Sequence, residues 1–210
     1  MSDPKKLVIY HAQCADGFGA AWAAWKVLGD DAEYVAAKYG DPPPEVAGRD
    51  VSIVDFSYPR ATLLEMKKAA ASLEVLDHHK TAEEDLRGLP FAKFDLAKSG
   101  AMLAWERWHP EEPPPDLIRY IQDKDLWTWK LPESEEVAVA LASYPYDFAA
   151  WDRLTAERLR DEGGAILRFQ NQLVDEVLHV VRRERIAGYD VPVVNCPVLQ
   201  SYVGNRLAAG

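Results

Sequence analysis

The chain predicts an α/β fold, a mostly parallel sheet with helices on both faces. Three observations carry that expectation: short apolar runs alternate with helical ones, turn-forming segments separate them, and several apolar runs end in His or Asp. Lys5–Tyr10 reads as the first strand, with His11 at its C-terminal end. Gly17–Leu28 follows as a helix. It is apolar nearly all round, with Trp22 and Trp25, and is therefore expected to be buried. Glu33–Tyr39 is a second strand, and Asp41-Pro42-Pro43-Pro44 is a loop, because consecutive prolines support neither helix nor ladder. Val51–Val54 is a strand running into Asp55, Arg60–Ala71 a helix, and Leu73–Leu76 a strand running into Asp77. Phe91–Phe94 is a weaker strand and Ser99–Trp108 a helix.

Beyond the proline-rich loop Glu111–Pro115, Asp116–Ile121 begins another helix, with Asp123 and Asp125 after it. Glu133–Arg153 is helical with breaks. Thr155–Arg183 reads as one long helix, since Leu159, Ile166, Leu173 and Val180 recur every seven residues; Gly163-Gly164 weakens it. Ile186–Cys196 looks like a strand or hairpin edge and Val198–Ala208 like a helix. The expected organisation is a compact unit over residues 1–154, a linker helix over 155–185, and the beginning of a second small α/β domain over 186–210.

With 48% hydrophobic and 28% charged residues among 210, the composition is that of a globular chain. No apolar run approaches the ~18 residues of a membrane span. With only two cysteines, Cys14 and Cys196, the sequence argues against a disulfide framework, and a reducing cytoplasm is the expected setting. A formal charge of −10 argues against a broad basic surface for long duplex nucleic acid. It is compatible with a small phosphorylated substrate held through metal ions.

The densest chemical signal is Asp77-His78-His79, two imidazoles beside a carboxylate at a strand end. Parallel sheets bind ligands at the carboxyl ends of their strands, and His11 and Asp55 end two other strands. His11-Ala12-Gln13-Cys14-Ala15-Asp16-Gly17 occupies a strand-to-helix turn from which His11 and Asp16 can both reach a metal. Asp55 is poorly explained as a helix cap, because the next helix begins only at Arg60. Mixed imidazole and carboxylate ligands suit Mn²⁺, with Mg²⁺, Co²⁺, Fe²⁺ or Zn²⁺ also compatible. Asp16, Asp55, Asp77 and Asp123 bring negative charge that two divalent ions would balance.

These motifs, in this order, resemble the DHH phosphoesterase family, which includes RecJ-like exonucleases, nanoRNA and cyclic-dinucleotide phosphodiesterases, and a class of manganese pyrophosphatases. His11…Asp16-Gly17 is similar to the first motif, Val54-Asp55 to the second, Asp77-His78-His79 to the third and Ile121-Gln122-Asp123 to the fourth. Ser99-Gly100-Ala101 resembles a small-residue motif that follows the third. The resemblance covers roughly residues 5–130. It implies a hydrolase in which His11 binds one metal, Asp16, His78 and Asp123 the other, and Asp55 bridges them. His79 would touch the substrate phosphate, together with Ser99 and Gly100, and Asp77 would support the site or bind directly. Asp125 is the rival to Asp123. A metal-activated hydroxide would attack a phosphodiester of a short oligonucleotide or small nucleotide. Pyrophosphatase-like chemistry and a catalytically degenerate nucleotide-binding module are the alternatives, and a homodimer is among the expected assemblies.

Two departures stand out. Cys14 occupies a place where the family carries another metal-binding Asp, so it reads either as a thiolate ligand or as a small buried thiol. Residues 186–210, with Asn195 and Val203-Gly204-Asn205, look like the start of the family's C-terminal substrate-binding domain, but its glycine-rich loop is not among them.

Overall fold

The computed structural model describes residues 5–209. Its centre is a five-stranded parallel sheet built from β1 (Lys6–His11), β2 (Ala32–Ala37), β3 (Asp50–Val54), β4 (Ser72–Asp77) and β5 (Ala92–Phe94), in the order β2-β1-β3-β4-β5. The chain leaves β1 to one side for β2 and then crosses to the other side for β3. That reversal opens a crevice between the carboxyl ends of β1 and β3, the usual ligand position in open parallel sheets. β1 pairs with β3 in register from Lys6 opposite Asp50 to Tyr10 opposite Val54, so His11 and Asp55 emerge side by side.

Side chains alternate across the strands and divide the core into two layers. Leu7, Ile9, Val51, Ile53, Leu73 and Val75 face α2 (Arg60–Ala69) and α3 (Lys80–Leu86), meeting Leu63, Met66 and Leu86. Val8, Val54 and Leu76 face the opposite layer, where α1 (Ala15–Leu28) packs with α4 (Gly100–Trp108) and α5 (Asp116–Asp125). Each large side chain buried here contributes about 1.5–3 kcal/mol relative to exposure. The expected burial of α1 holds over Asp16–Ala24, after which Lys26 and Val27 reach solvent. Phe18 stacks on Phe148 at 4.8 Å and meets the edge of the fully buried Trp151, which joins α1 to α7 (Phe148–Trp151).

The C-terminal third departs from the sequence reading. The long helix is α8, Ala156–Leu178, capped at its start by the Thr155 hydroxyl, which accepts from the Arg158 amide. It ends before Arg183 because Arg182–Ile186 is already a strand, β6, paired antiparallel with β7 (Tyr189–Val193). Nor is α8 only a spacer: Leu159, Gly163 and Val174 are buried, and the helix lies along α6 (Ser134–Ala142). Gly163 explains that approach. A Cβ there would sit 2.1 Å from the Glu136 carbonyl oxygen, so Gly163 is a packing position in an unbroken helix, while Gly164 faces only the Arg168 side chain. The hairpin β6–β7 is exposed, and α9 (Gln200–Ala209) returns against α8, with Arg206 donating to Asp175. α3 was missed in the sequence because its Lys80–Leu86 run buries only Leu86 and carries no apolar stripe. No helix among the described residues is long and apolar enough to cross a membrane.

Candidate metal centre

The topology brings together residues from four separated segments. His11 ends β1, Cys14 immediately precedes α1 and Asp16 lies in its first turn, Asp55 follows β3, and Asp77 ends β4 with His78 and His79 just after it. Asp125 arrives from the last turn of α5. Three overlapping groups could hold a metal ion, each with donor atoms within 4.8 Å of one another: His11–Cys14–Asp55, Asp55–His78–His79 and Asp16–His78–Asp125.

Asp55 lies at the middle of this chain of groups. One of its carboxylate oxygens is 3.1 Å from His78 Nε2, and the other is 3.7 Å from His11 Nδ1. Its backbone holds φ at 53°, a left-handed conformation that Asp tolerates better than most residues but still at a cost. The neighbouring α4 turns its first residue directly against it. A Cβ on Gly100 would be 2.4 Å from the Asp55 Cβ, so only glycine fits.

Asp16 is buried, and its carboxylate accepts the backbone N–H groups of Gly100 at 2.6 Å and Ala101 at 2.9 Å. These are unpaired donors of the α4 N-terminus, where a negative group is favoured. The assignment of Ser99 and Gly100 to substrate is thereby replaced. Gly100 donates to Asp16, and the buried Ser99 hydroxyl caps α4 by accepting from the Met102 amide. Gly17 makes its expected close approach to the His11 carbonyl.

Asp77 is wholly enclosed. Its carboxylate accepts from the Ser57 hydroxyl, from the backbone amides of His78 and His79, and from His79 Nδ1 at 2.7 Å. Three of these donors converge on Oδ1 and the Ser57 hydroxyl meets Oδ2, and Asp77 lies outside the three donor groups, so its contacts are those of a residue that orients the two histidines. The sequence left Asp77 open between support and direct binding; the geometry selects support. His79, on a partly exposed ring, has its Nδ1 engaged by Asp77, which leaves Nε2 without that partner.

The choice between Asp123 and Asp125 goes to Asp125. Its carboxylate is 3.5 Å from His78 Nε2. Asp123 points the other way, into the loop after α5, accepting from the Thr128 hydroxyl and the amides of Lys130 and Leu131. It is a loop clamp, outside all three donor groups, and the expectation that Asp123 binds metal is corrected.

The titration behaviour follows the crowding. Burial, reinforced by Asp55 and Asp125, raises Asp16 well above the usual carboxylate range. Burial and Asp55 likewise raise Asp125. Burial also opposes ionisation of Asp55, but His11 and His78 together outweigh it and hold Asp55 low. His11 is raised to about 10, chiefly by Asp55 and then by Cys14. Burial works against the charged form of His78, yet Asp55, Asp16 and Asp125 raise it to about 9. Asp77 raises His79. A buried set of carboxylates compensated by imidazolium protons is one in which a divalent cation can replace those protons.

No family model matches the sequence. The chain is 28% identical to the uncharacterized protein R106 of Acanthamoeba polyphaga mimivirus, a match that takes in 99% of this chain and 58% of that protein. It therefore spans little more than half the length of that relative. An uncharacterized protein from Helicobacter pylori G27 shares the fold, with a TM-score of 0.55 over 84% of this chain and 58% of the other, at 12% identity.

Of the residues gathered here, sequence reasoning singled out His11, Asp16, Asp55, Asp77, His78 and His79, with Cys14 as an open candidate and Asp125 as the rival to Asp123. It missed Ser57, whose hydroxyl helps fix Asp77, and Tyr39, whose ring lies 5.5 Å from that of His11. Ser57 had a readable signal, being two residues past a strand-end aspartate in Asp55-Phe56-Ser57. Tyr39 had none.

Proposed function

We propose that the chain is a divalent-metal-dependent phosphoesterase acting on a phosphodiester of short oligonucleotides or small nucleotides. The observation that carries this reading is the placement of Asp55, whose two oxygens face His11 on one side and His78 on the other. A carboxylate so placed can serve two cations, one held with His11 and Cys14, the other with Asp16, His78 and Asp125. The donor set suits such ions: imidazole nitrogen, carboxylate oxygen and one thiol sulfur converge at a sheet crevice. When bound by these residues, divalent cations would activate water at neutral pH and would offset charge on the phosphoryl oxygens.

The chain's own residues supply the rest. Asp77 holds the His79 ring and favours its cationic form, leaving Nε2–H to donate to a phosphate oxygen. Asp16, fixed by two amides, holds its position without a flexible side chain. The motif resemblance supports the same chemistry. Metal-dependent release of a nucleoside monophosphate from a short RNA is the expected result. Cleavage of inorganic pyrophosphate but not RNA would move the assignment to phosphoanhydrides. Tight nucleotide binding without turnover under any divalent metal would leave a binding module.

A further inference from the structure

The donors on the two sides of Asp55 differ in kind. On one side stand His11 and Cys14, and with Asp55 they offer one nitrogen, one sulfur and one carboxylate oxygen. On the other, His78 Nε2 is ringed by carboxylates: Asp55 at 3.1 Å, Asp125 at 3.5 Å and Asp16 at 3.6 Å. The overlapping group Asp55–His78–His79 adds a second imidazole and no sulfur, so the soft donor is confined to the His11 side. The phosphoester reading asks for two cations and treats them alike, whereas these donors do not.

Cys14 has no capping role that would explain it. It stands at the N-cap position of α1, where Ser, Thr, Asp and Asn are favoured because a side-chain oxygen can accept a backbone N–H. Its side chain makes no such bond. The thiol is partly buried and free of any disulfide, and it lies within 4.8 Å of donor atoms on His11 and Asp55. An aspartate there could cap the helix and would leave both sides of the centre hard. On the opposite side Asp16 is held by the amides of Gly100 and Ala101, which fixes a hard oxygen donor in place.

Selectivity follows donor softness: thiolate and imidazole suit zinc, whereas carboxylates and water suit magnesium and manganese. Three protein ligands with a fourth position left open are also the usual set of a catalytic zinc. We infer that the centre is a mixed one, taking zinc on His11, Cys14 and Asp55 and manganese on Asp16, His78 and Asp125, with Asp55 between them. Cys14 binds as the thiolate, its proton passing to solvent when zinc enters. The inference rests on the two-cation part of the proposed function and assigns a different ion to each side.

Zinc outbids manganese at most such sites when both are in excess, so the test limits zinc to one equivalent per chain. The metal-free full chain is equilibrated with that zinc and excess manganese, freed of unbound ions, and read by elemental analysis and by X-ray absorption at the zinc edge. One zinc and one manganese per chain are expected, with a sulfur neighbour about 2.3 Å from the zinc. Cys14→Asp places a favoured capping residue at the head of α1 and should stay folded. It should lose the sulfur neighbour and give up its zinc to manganese. Cys14→Ser should lose the same sulfur signal and serves where the aspartate variant fails to fold. A zinc edge with nitrogen and oxygen neighbours alone, or two manganese ions with the zinc left in solution, would overturn the mixed centre while leaving the two-cation phosphoester reading in place. A chain that binds zinc through sulfur beside manganese, yet cleaves no phosphodiester, would uphold the mixed centre and overturn the phosphoester reading. Binding of neither ion would overturn both.

Discussion

Replacing Gly100 by alanine separates the metal centre from the stability of the fold. The added methyl would lie 2.4 Å from the Asp55 Cβ and 2.9 Å from its Cα and Cγ. Ordinary carbon–carbon contact is about 3.5–4.0 Å, so α4 and Asp55 must part by about 1 Å. Neither side gives easily. Asp55 is already in a left-handed conformation with its amide bonded to the Leu76 carbonyl, and the α4 N-terminus is tied to Asp16. Overpacking of this kind costs about 1–3 kcal/mol, or roughly 2–12 °C in the unfolding midpoint for a chain of this size. Because the parting moves Asp55 and Asp16 together, activity should fall about a hundredfold. Gly163→Ala is the control. Its methyl would meet the Glu136 carbonyl at 2.1 Å, in the α6–α8 contact, and it should lower the melting temperature while leaving metal affinity intact. Thermal unfolding paired with metal titration reads both. Gly100→Ala with native metal affinity, or Gly163→Ala with the larger loss of metal, would refute the reasoning.

Three further outcomes are expected. Asp125→Asn should weaken metal binding with little effect on folding, whereas Asp123→Asn, which loosens a clamp on Thr128, Lys130 and Leu131, should cost about 1.5–3 kcal/mol and leave the metal count unchanged; reversal of the two phenotypes in metal analysis and chemical denaturation would contradict the geometry. Cobalt-substituted protein should show a thiolate-to-cobalt charge-transfer band that Cys14→Ser abolishes, and no such band in the native protein would make Cys14 a bystander. Metal affinity should rise with pH, about tenfold per unit for each proton displaced, because His11 and His78 are raised to about 10 and about 9 and must lose protons to bind. The metal-free protein should respond oppositely: the stability these two protonated histidines contribute is complete below their ordinary value near 6.5 and is lost as pH rises through about 9–10. A pH-independent affinity in calorimetry would argue against imidazole ligands.

The parts of this molecule that follow periodic or topological rules were legible in the sequence. The five strands of the sheet recur within a few residues of their expected bounds, because alternating side chains on β1, β3 and β4 fill two cores and leave a clear apolar signal. His11, Asp55 and Asp77-His78-His79 converge because parallel strands end on one edge. What escaped was orientation. Asp123 and Asp125 stand two residues apart near the end of one helix, and only the path of the loop through Thr128 and Lys130 decides which joins the His78 donor group. Ser99 and Gly100 carry a motif suited to an anion, but the anion they meet is the chain's own Asp16, from 84 residues earlier for Gly100. The long heptad pattern of α8 overran its end because Val180 continues the spacing although it is exposed beyond the last helical turn.

The central claim is a pair of divalent ions sharing Asp55. Elemental analysis of the purified protein, repeated on Asp55→Ala with folding verified by circular dichroism, tests it most directly. About two metal ions per native chain are expected and, since Asp55 faces both His11 and His78, the loss of both in the variant. A native chain that binds no divalent ion, or a folded Asp55→Ala chain that retains both, would contradict it.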